Sequence, residues 1–387
     1  MLKLHITFVL LLSLLTGAQV FAQPVFYNTS SAIQSLNSLD RVATNGTANT
    51  NLLTAAGSVG RCTAMAVDGL SSKLFFIDGA SNALWTCSLA GSNLTLVKSG
   101  LTNFPTDLAL DVLNQKIYLT TSSTISNNNT IQRLDYTGAN GTTLFTATGA
   151  AGNGVSRCTA LAVDLRNSKI FLADAGTQKI WSLPLAGGSP TALAIVTNGY
   201  PTSVAVDPTN QLVYFTASST LQNSNRIQRV SYAGTGLTTL FTASGSVQRC
   251  TALDLDIARA TIYLSDAGST SPGLWKIPLA GGSATAVLTA LPAAAKKVRW
   301  FSGPSTRPAP RVTSLVLASG TNVVLNATNG YIGGTYYVLT STNLAAPLAQ
   351  WSTISTNILP ATGNFSLITS NGFSKTTPKR FYILQVQ

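Results

Sequence analysis

One segment of this chain is written several times over. The stretch from Arg157, RCTALAVDLRNSKIFLADAGTQKIWSLPLAGGSPTAL, returns as RCTAMAVDGLSSKLFFIDGASNALWTCSLAGSNLTL from Arg61 and as RCTALDLDIARATIYLSDAGSTSPGLWKIPLAGGSATAV from Arg249. Between them lie two copies of a variant, FPTDLALDVLNQKIYLTTSSTISNNNTIQRLDYTGANGTTLF from Phe104 and YPTSVAVDPTNQLVYFTASSTLQNSNRIQRVSYAGTGLTTLF from Tyr200. The unit is about 43–53 residues long, a period that marks a propeller or solenoid, because one unit of that size cannot bury its apolar face alone. In the unit from Arg157, four short strands are expected at Thr159–Val163, Lys169–Leu172, Lys179–Leu183 and, more weakly, Ala192–Ile195. The second is apolar on both faces, as a strand packed between two neighbouring sheets requires.

An Asp closes the first strand of each unit (Asp68, Asp111, Asp164, Asp207, Asp256) and is followed by turn residues. A carboxylate there accepts hydrogen bonds from the next backbone N–H groups, so its expected role is structural. Further on, Phe75-Phe76-Ile77-Asp78, Phe171-Leu172-Ala173-Asp174 and Tyr263-Leu264-Ser265-Asp266 end the second strand. An apolar strand ending in Asp, then a loop, then aromatic-x-x-Asp resembles the LDL-receptor class B (YWTD) repeat. The variant units carry Tyr118-Leu119-Thr120-Thr121 and Tyr214-Phe215-Thr216-Ala217, which lack the second Asp. The resemblance spans roughly residues 23–303 and implies a six-bladed propeller of four-stranded blades, a fold that serves receptors, scaffolds and some enzymes.

The two ends of the repeat region fit together. Gln23–Val42 aligns without gaps to Gln211–Val230, so the first unit opens on its second strand. Leu291-Pro292-Ala293 echoes Tyr200-Pro201-Thr202 and leads into Lys296–Phe301, which supplies the missing strand. Three strands from one end and one from the other close the ring and remove exposed sheet edges.

Residues 1–22 are expected to be a secretory signal: Lys3, an apolar run from Ile6 to Leu15, and Val20-Phe21-Ala22 as the cleavage motif. The run is too short for a membrane anchor, so no transmembrane segment is expected after its removal. Residues 302–310, SGPSTRPAP, read as a Pro-rich linker. From 311 to 387, six strand-like runs (Val312–Leu317, Asn322–Asn326, Thr335–Thr340, Trp351–Ser355, Asn364–Ile368, Arg380–Val386) suggest a small Ig-like β-sandwich. Its YYVLTSTNL, Trp351 and RFYIL segments are similar to C-terminal modules of secreted proteins from environmental bacteria.

Composition narrows the chemistry. The net charge is +12, all 12 acidic residues are Asp, and the single His is His5, inside the expected signal. A mature chain without His holds no Ser-His-Asp or Cys-His arrangement and no His-ligated metal. Among the carboxylates only Asp254 and Asp256 are close in sequence; they share one face of a strand, and Asp254 is expected beside an Arg or Lys. Cys62, Cys158 and Cys250 open the innermost strand of alternate units, where the others have Pro105, Pro201 and Pro292. They and Cys87 are expected to be unpaired, partly buried thiols rather than a three-thiolate metal site. Trp85, Trp181 and Trp275 recur on third strands and are expected to pack between blades. No cofactor and no metal is expected. Scattered Lys and Arg in a secreted protein point to an extracellular polymer rather than nucleic acid.

The alternation of units marks one face. Arg61, Arg157 and Arg249 precede innermost strands there, interleaved with the long loops Asn28–Asn37, Thr121–Thr130 and Ala217–Asn225. Each loop carries a serine pair: Ser30-Ser31, Ser122-Ser123 and Ser218-Ser219. Guanidinium groups and amide-rich loops around one mouth are expected to make a ligand site for a glycan, an anionic polymer or a protein. The expected molecule is thus all-β, a secreted six-bladed β-propeller with 3+1 closure followed by a β-sandwich. Its expected role is non-catalytic binding of an extracellular partner. A channel-mouth hydrolase or lactonase is one alternative and a structural cell-surface or matrix component the other.

Overall fold

A computed structural model describes residues 24–123, 125, 128–268, 272–300, 311–318, 322–328, 335–347, 350–358, 365–369 and 380–386. The expected signal segment 1–22 and the Pro-rich stretch 302–310 lie outside the described residues.

Among the described residues, six four-stranded antiparallel sheets follow one another, each running from an innermost strand outward. Sheet 1 is Ala295–Trp300, Pro24–Thr29, Ser38–Ala43 and Thr50–Thr54. Sheet 2 is Cys62–Asp68, Lys73–Asp78, Ala83–Ser88 and Thr95–Lys98, and sheet 3 is Phe104–Asp111, Lys116–Ser122, Thr130–Asp135 and Thr142–Thr146. Sheet 4 is Cys158–Asp164, Lys169–Asp174, Lys179–Pro184 and Thr191–Ile195. Sheet 5 is Tyr200–Asp207, Leu212–Ser218, Arg226–Ser231 and Thr238–Thr242, and sheet 6 is Cys250–Asp256, Thr261–Asp266, Gly273–Pro278 and Thr285–Leu288. The innermost strand of each sheet lies against that of the next, and sheet 6 returns to sheet 1. That closed succession of sheets is a β-propeller.

The second strands carry the core. Leu74–Asp78, Ile170–Asp174 and Ile262–Asp266 are buried throughout. Their side chains interlock with the neighbouring sheet: Phe171, Ile180, Val213 and Phe215 join sheets 4 and 5, and Phe75, Ile77, Ile117 and Leu119 join sheets 2 and 3. Tyr232, just after the third strand of sheet 5, packs its ring at a 44° tilt against Phe171, centroids 4.4 Å apart, and donates its hydroxyl to Asp164 of sheet 4 at 2.7 Å. The remaining lone pairs of the strand-closing aspartates hold turns; Asp207, for example, accepts from the N–H groups of Thr209 and Asn210 at 3.1 Å.

A register shift near the start of every innermost strand has a shared purpose. At Cys62/Ala64, Pro105/Asp107, Cys158/Ala160 and Cys250/Ala252 one threonine is left over, and a bulged residue is released from the ladder. Several of these hydroxyls bond across to the next sheet: Thr106 to the Cys158 carbonyl at 3.3 Å, Thr159 to that of Pro201 at 2.9 Å, Thr251 to that of Ala295 at 3.0 Å. In sheet 1 the bulged residue is Lys296, and the amide of the buried Asn28 takes over, donating to the Cys62 carbonyl at 2.6 Å. The same register corrects the sequence reading of this strand. Thr29, the counterpart of Ala217, pairs with Ala295 as Ala217 pairs with Pro201. Ala295, not Pro292, therefore stands at the Cys/Pro position; the Leu-Pro echo lies three residues too early.

Residues 311–386 contribute two three-stranded antiparallel sheets. One holds Arg311–Leu317, Val323–Thr328 and Phe365–Thr369, the other Ser352–Ile358, Thr335–Ser341 and Phe381–Val386. Leu325, Ala327 and Leu367 of the first share one apolar cluster with Val338, Ile354 and Leu384 of the second. Among the described residues no helix is long and apolar enough to cross a membrane.

Candidate functional site

The arginines of the loop-bearing face are set in place by the carboxylates that end the second strands. Asp78, fully buried, accepts from the N–H groups of Gly60 at 3.0 Å, Arg61 at 2.7 Å and Ala80 at 2.9 Å, and from the Ser81 hydroxyl at 2.6 Å. Asp174 does the same for Ser156, Arg157 and Gly176, and Asp266 for Gln248, Arg249 and Gly268. Burial pushes the Asp78 carboxyl up, but the Ser81 hydroxyl and the N–H groups of Gly60, Ala80 and Arg61 outweigh it and hold it below the usual carboxylate range. The aspartate thus fixes the backbone of each arginine and leaves the guanidinium to the mouth. Arg157 and Arg249 are exposed and Arg61 is half-buried. Arg157 Nε donates to Ser122 Oγ at 3.3 Å, while the buried Nε of Arg61 has no partner among the described residues.

The three long loops are built around one buried asparagine each. Asn225 accepts from the Ser219 N–H at 2.9 Å and donates to the carbonyls of Ser219 at 2.9 Å and Leu221 at 2.8 Å. Asn37 and Asn129 repeat this with Ser31 and Ile33, and with Ser123 and Ile125. The second serine of each pair, Ser31, Ser123 or Ser219, accepts from the N–H two residues on. Ser122 and Ser218 are buried, and Ser30 gives its N–H to the Ala294 carbonyl at 3.0 Å. Ser31, Ser123 and Ser219 therefore stiffen the loops, while the buried Ser218 hydroxyl has no partner among the described residues, and the large side chains at the loop tips are apolar. Ile33, Ile125 and Leu221 stand 59%, 59% and 65% exposed at the tips. Two of the loops lean on the arginine-bearing sheet beside them: Gln34 donates to the Val59 carbonyl at 2.8 Å, and Gln222 to that of Val247 at 2.7 Å.

Sheet register also shows what occupies the arginine position in the other sheets. It is Phe104 in sheet 3, Tyr200 in sheet 5 and Ala294 in sheet 1. Phe104 and Tyr200 are 61% and 54% exposed. Sequence reasoning missed both, although the repeat alignment puts each directly in the arginine column. Around the mouth the order is Arg61, Phe104, Arg157, Tyr200, Arg249 and Ala294, with Lys296 two residues beyond. Lys296 is exposed, yet the protein around its amine and then the charges of Arg249 and Arg61 hold it below the ordinary lysine value. The mouth is thus polarised, with aromatics flanking Arg157 on one side and Arg249, Lys296 and Arg61 gathered on the other.

Deeper in the channel a second cluster closes the axis. Asp107 of sheet 3 pairs with Lys297 Nζ at 2.7 Å and Arg299 Nη2 at 3.2 Å, both from sheet 1. It also accepts from the N–H of Leu161 in sheet 4 at 3.2 Å. Asp254 accepts from the N–H groups of Trp300 and Leu255 at 2.9 Å, and Arg299 acts on it from nearby. Burial nonetheless pushes the Asp254 carboxyl up. Asp256 instead accepts from the N–H and guanidinium of Arg259 in its turn, so the two carboxylates do not work as a couple. Beyond the cluster the opposite mouth is a cavity of about 290 Å³, lined by Val67, Leu110, Val163 and Val206 together with Asp254 and Arg299. The four cysteines are unpaired and buried, more completely than their sequence positions suggest. Trp181 and Trp275 lie buried in the clusters between sheets, and Trp85 is packed against another.

No family model and no curated protein matches the sequence. Among solved structures, the chain is similar to a chain of the nidogen/laminin complex, at 17% identity and a TM-score of 0.58, covering 71% of this chain and 97% of that one. It is also similar to TolB from Acinetobacter baumannii, at 10% identity and a TM-score of 0.57 over 73% of this chain and 67% of that one. A third likeness is to a putative TolB from Agrobacterium tumefaciens, at 12% identity and a TM-score of 0.51 over 72% and 98%. At such identities the likeness is one of fold, and the fold is a β-propeller.

Proposed function

We propose that this chain is a secreted or periplasmic binding protein whose propeller, residues 23–301, recognises an extracellular partner with its loop-bearing face. In this reading residues 1–22 are removed as a signal, residues 302–310 link the domains, and residues 311–387 form a small Ig-like sandwich. The six sheets are then six blades. The observation that carries the proposal is the composition of that one face. Arg61, Arg157 and Arg249 alternate with exposed Phe104 and Tyr200, inside a triangle of Ile33, Ile125 and Leu221 held out by asparagine-clamped loops. Arginine and aromatic side chains on a rigid frame are the groups that dominate binding energy at interfaces. Ser30, Ser31, Ser122, Ser123, Ser218 and Ser219 serve this site by shaping its loops. The likeness to a chain of the nidogen/laminin complex, itself a protein assembly, supports a protein as partner.

The test is site-specific crosslinking. A photoreactive residue is placed at Ile125 or Leu221, and in a control at Ile257 beside the opposite mouth, and the protein is exposed to the surface and secreted fraction of the cells that make it. The reading expects one discrete adduct from the loop positions and none from Ile257. Adducts from Ile257 alone would overturn it.

A further inference from the structure

Ten of the twelve aspartates are buried: Asp40, Asp68, Asp78, Asp107, Asp111, Asp164, Asp174, Asp207, Asp256 and Asp266. The remaining two are Asp254, in the channel, and Asp135, tied to Lys116. The exposed charge of the chain is therefore almost wholly positive. At the loop-bearing mouth the nearest carboxylates, Asp78, Asp174 and Asp266, lie beneath the rim, saturated by backbone N–H groups. Nothing acidic on the rim answers Arg249, Lys296 and Arg61. Sheets 6, 1 and 2 are consecutive, so these three cations share one arc of the mouth. The opposite arc presents Phe104 and Tyr200 on either side of Arg157.

Resting on the reading of this face as a binding face, we propose that its mouth receives a segment of a partner protein that is acidic at one point and apolar at another. A carboxylate settles among Arg249, Lys296 and Arg61, and a bulky apolar side chain between Phe104 and Tyr200. Charge complementarity favours an acidic partner. The apolar half favours a protein over a sulfated polysaccharide, because the exposed aliphatic side chains Ile33, Ile125 and Leu221, standing with Phe104 and Tyr200, gain most when covered by apolar surface. The loop hydroxyls that a sugar would seek are turned inward instead: Ser122 and Ser218 are buried, and Ser31, Ser123 and Ser219 accept bonds within their own loops. Lys296, depressed by the protein around its amine and then by Arg249 and Arg61, stands where an incoming carboxylate would offset both cations.

The experiment selects random displayed peptides on the full chain and measures the affinity of the winners. Expected winners combine Asp or Glu with an aromatic or large aliphatic residue. Their binding weakens about 30-fold or more in the variant Arg61→Gln, Arg249→Gln, Lys296→Gln, and about tenfold in Phe104→Thr, Tyr200→Thr. Both variants keep the parental melting curve, since they alter side chains at the rim; Ile257→Ser at the far mouth changes nothing. Heparin is the second probe. Heparin binding that needs the cations but survives Phe104→Thr, Tyr200→Thr, with no acidic-apolar peptide selected, overturns the protein segment while leaving the face a binding face. Peptides whose affinity is untouched by both rim variants overturn the inference and the binding-face reading together.

Discussion

Replacing Asp107 with Ala isolates the cluster that closes the channel. Its carboxylate is 1% exposed and accepts from Lys297, Arg299 and the N–H groups of Leu108 and Leu161. Without it, a lysine only 4% exposed loses the partner that offsets its desolvation. Breaking one side of a buried pair costs about 3–5 kcal/mol. The lysine also sets a ceiling, because it escapes by shedding its proton: from an ordinary value near 10.4 to pH 7 that costs ~1.4 kcal/mol per unit, or ~5 kcal/mol in all. Adding Lys297→Met should restore most of the loss, since sheets 2, 4 and 6 place Ala64, Ala160 and Ala252 at this level and need no charge. Urea unfolding of the parent, both single variants and the double variant measures the coupling. The pH dependence gives a second check. Burial already holds Lys297 below the ordinary lysine value, and removing Asp107 lowers it further. The native lysine then sheds its proton at a lower pH than the unfolded one, so the unfolded state binds more protons in that window and stability rises with pH across it. The expected gain over the parent is at most ~1.4 kcal/mol per pH unit, and it levels off where the parent's own depressed lysine titrates. Additive single costs, or a pH slope equal to the parent's, would refute this account of the channel.

Three further outcomes are expected. Cys62, Cys158 and Cys250 are fully buried and Cys87 nearly so, with burial pushing Cys87 up to about 11 and the others higher still; a thiol reagent at pH 8 should find none in the native protein and all four after denaturation. Asp78→Ala should cost about 3 kcal/mol, from several charge-assisted hydrogen bonds. The Asp78 carboxyl is depressed, so its contribution is complete above the unfolded value near ~4 and is lost as pH falls through the lower folded value; acid titrations of parent and variant should converge there. Asn225→Ala removes a group bonded to Ser219 and Leu221, and amide exchange should quicken across 219–225 while the melting temperature moves by only a few degrees, about 2–4 °C per kcal/mol.

The repeat made the fold legible because each unit carries its own strand pattern and turn aspartate. The gap-free match of Gln23–Val42 to Gln211–Val230 also anticipated the sheet in which Pro24–Thr29 lies beside Ala295–Trp300. Contacts made only when the ring closes were hidden. Asp107 and Lys297 lie 190 residues apart, and nothing local marks them as partners. Lys296 was obscured by the Leu-Pro echo, which set the Cys/Pro-equivalent position three residues too early and hid the bulge. Phe104 and Tyr200 entered the sequence reading only as the first residues of the variant copies, and nothing local marks an aromatic residue at a strand start as exposed. The serine pairs stood out by composition, but composition does not say whether a hydroxyl faces a ligand or its own loop.

The central claim, that the loop-bearing mouth is where this protein meets its partner, is most directly tested by amide hydrogen exchange of the full chain with and without a selected acidic-apolar peptide. Protection should appear in the loops 30–37 and 218–225 and in the segments entering the innermost strands at Arg61, Phe104, Arg157, Tyr200 and Arg249. Residues around Val112, Ile257 and Trp300 at the far mouth should exchange as before. Protection centred on that far mouth, with the loops unchanged, would contradict the claim.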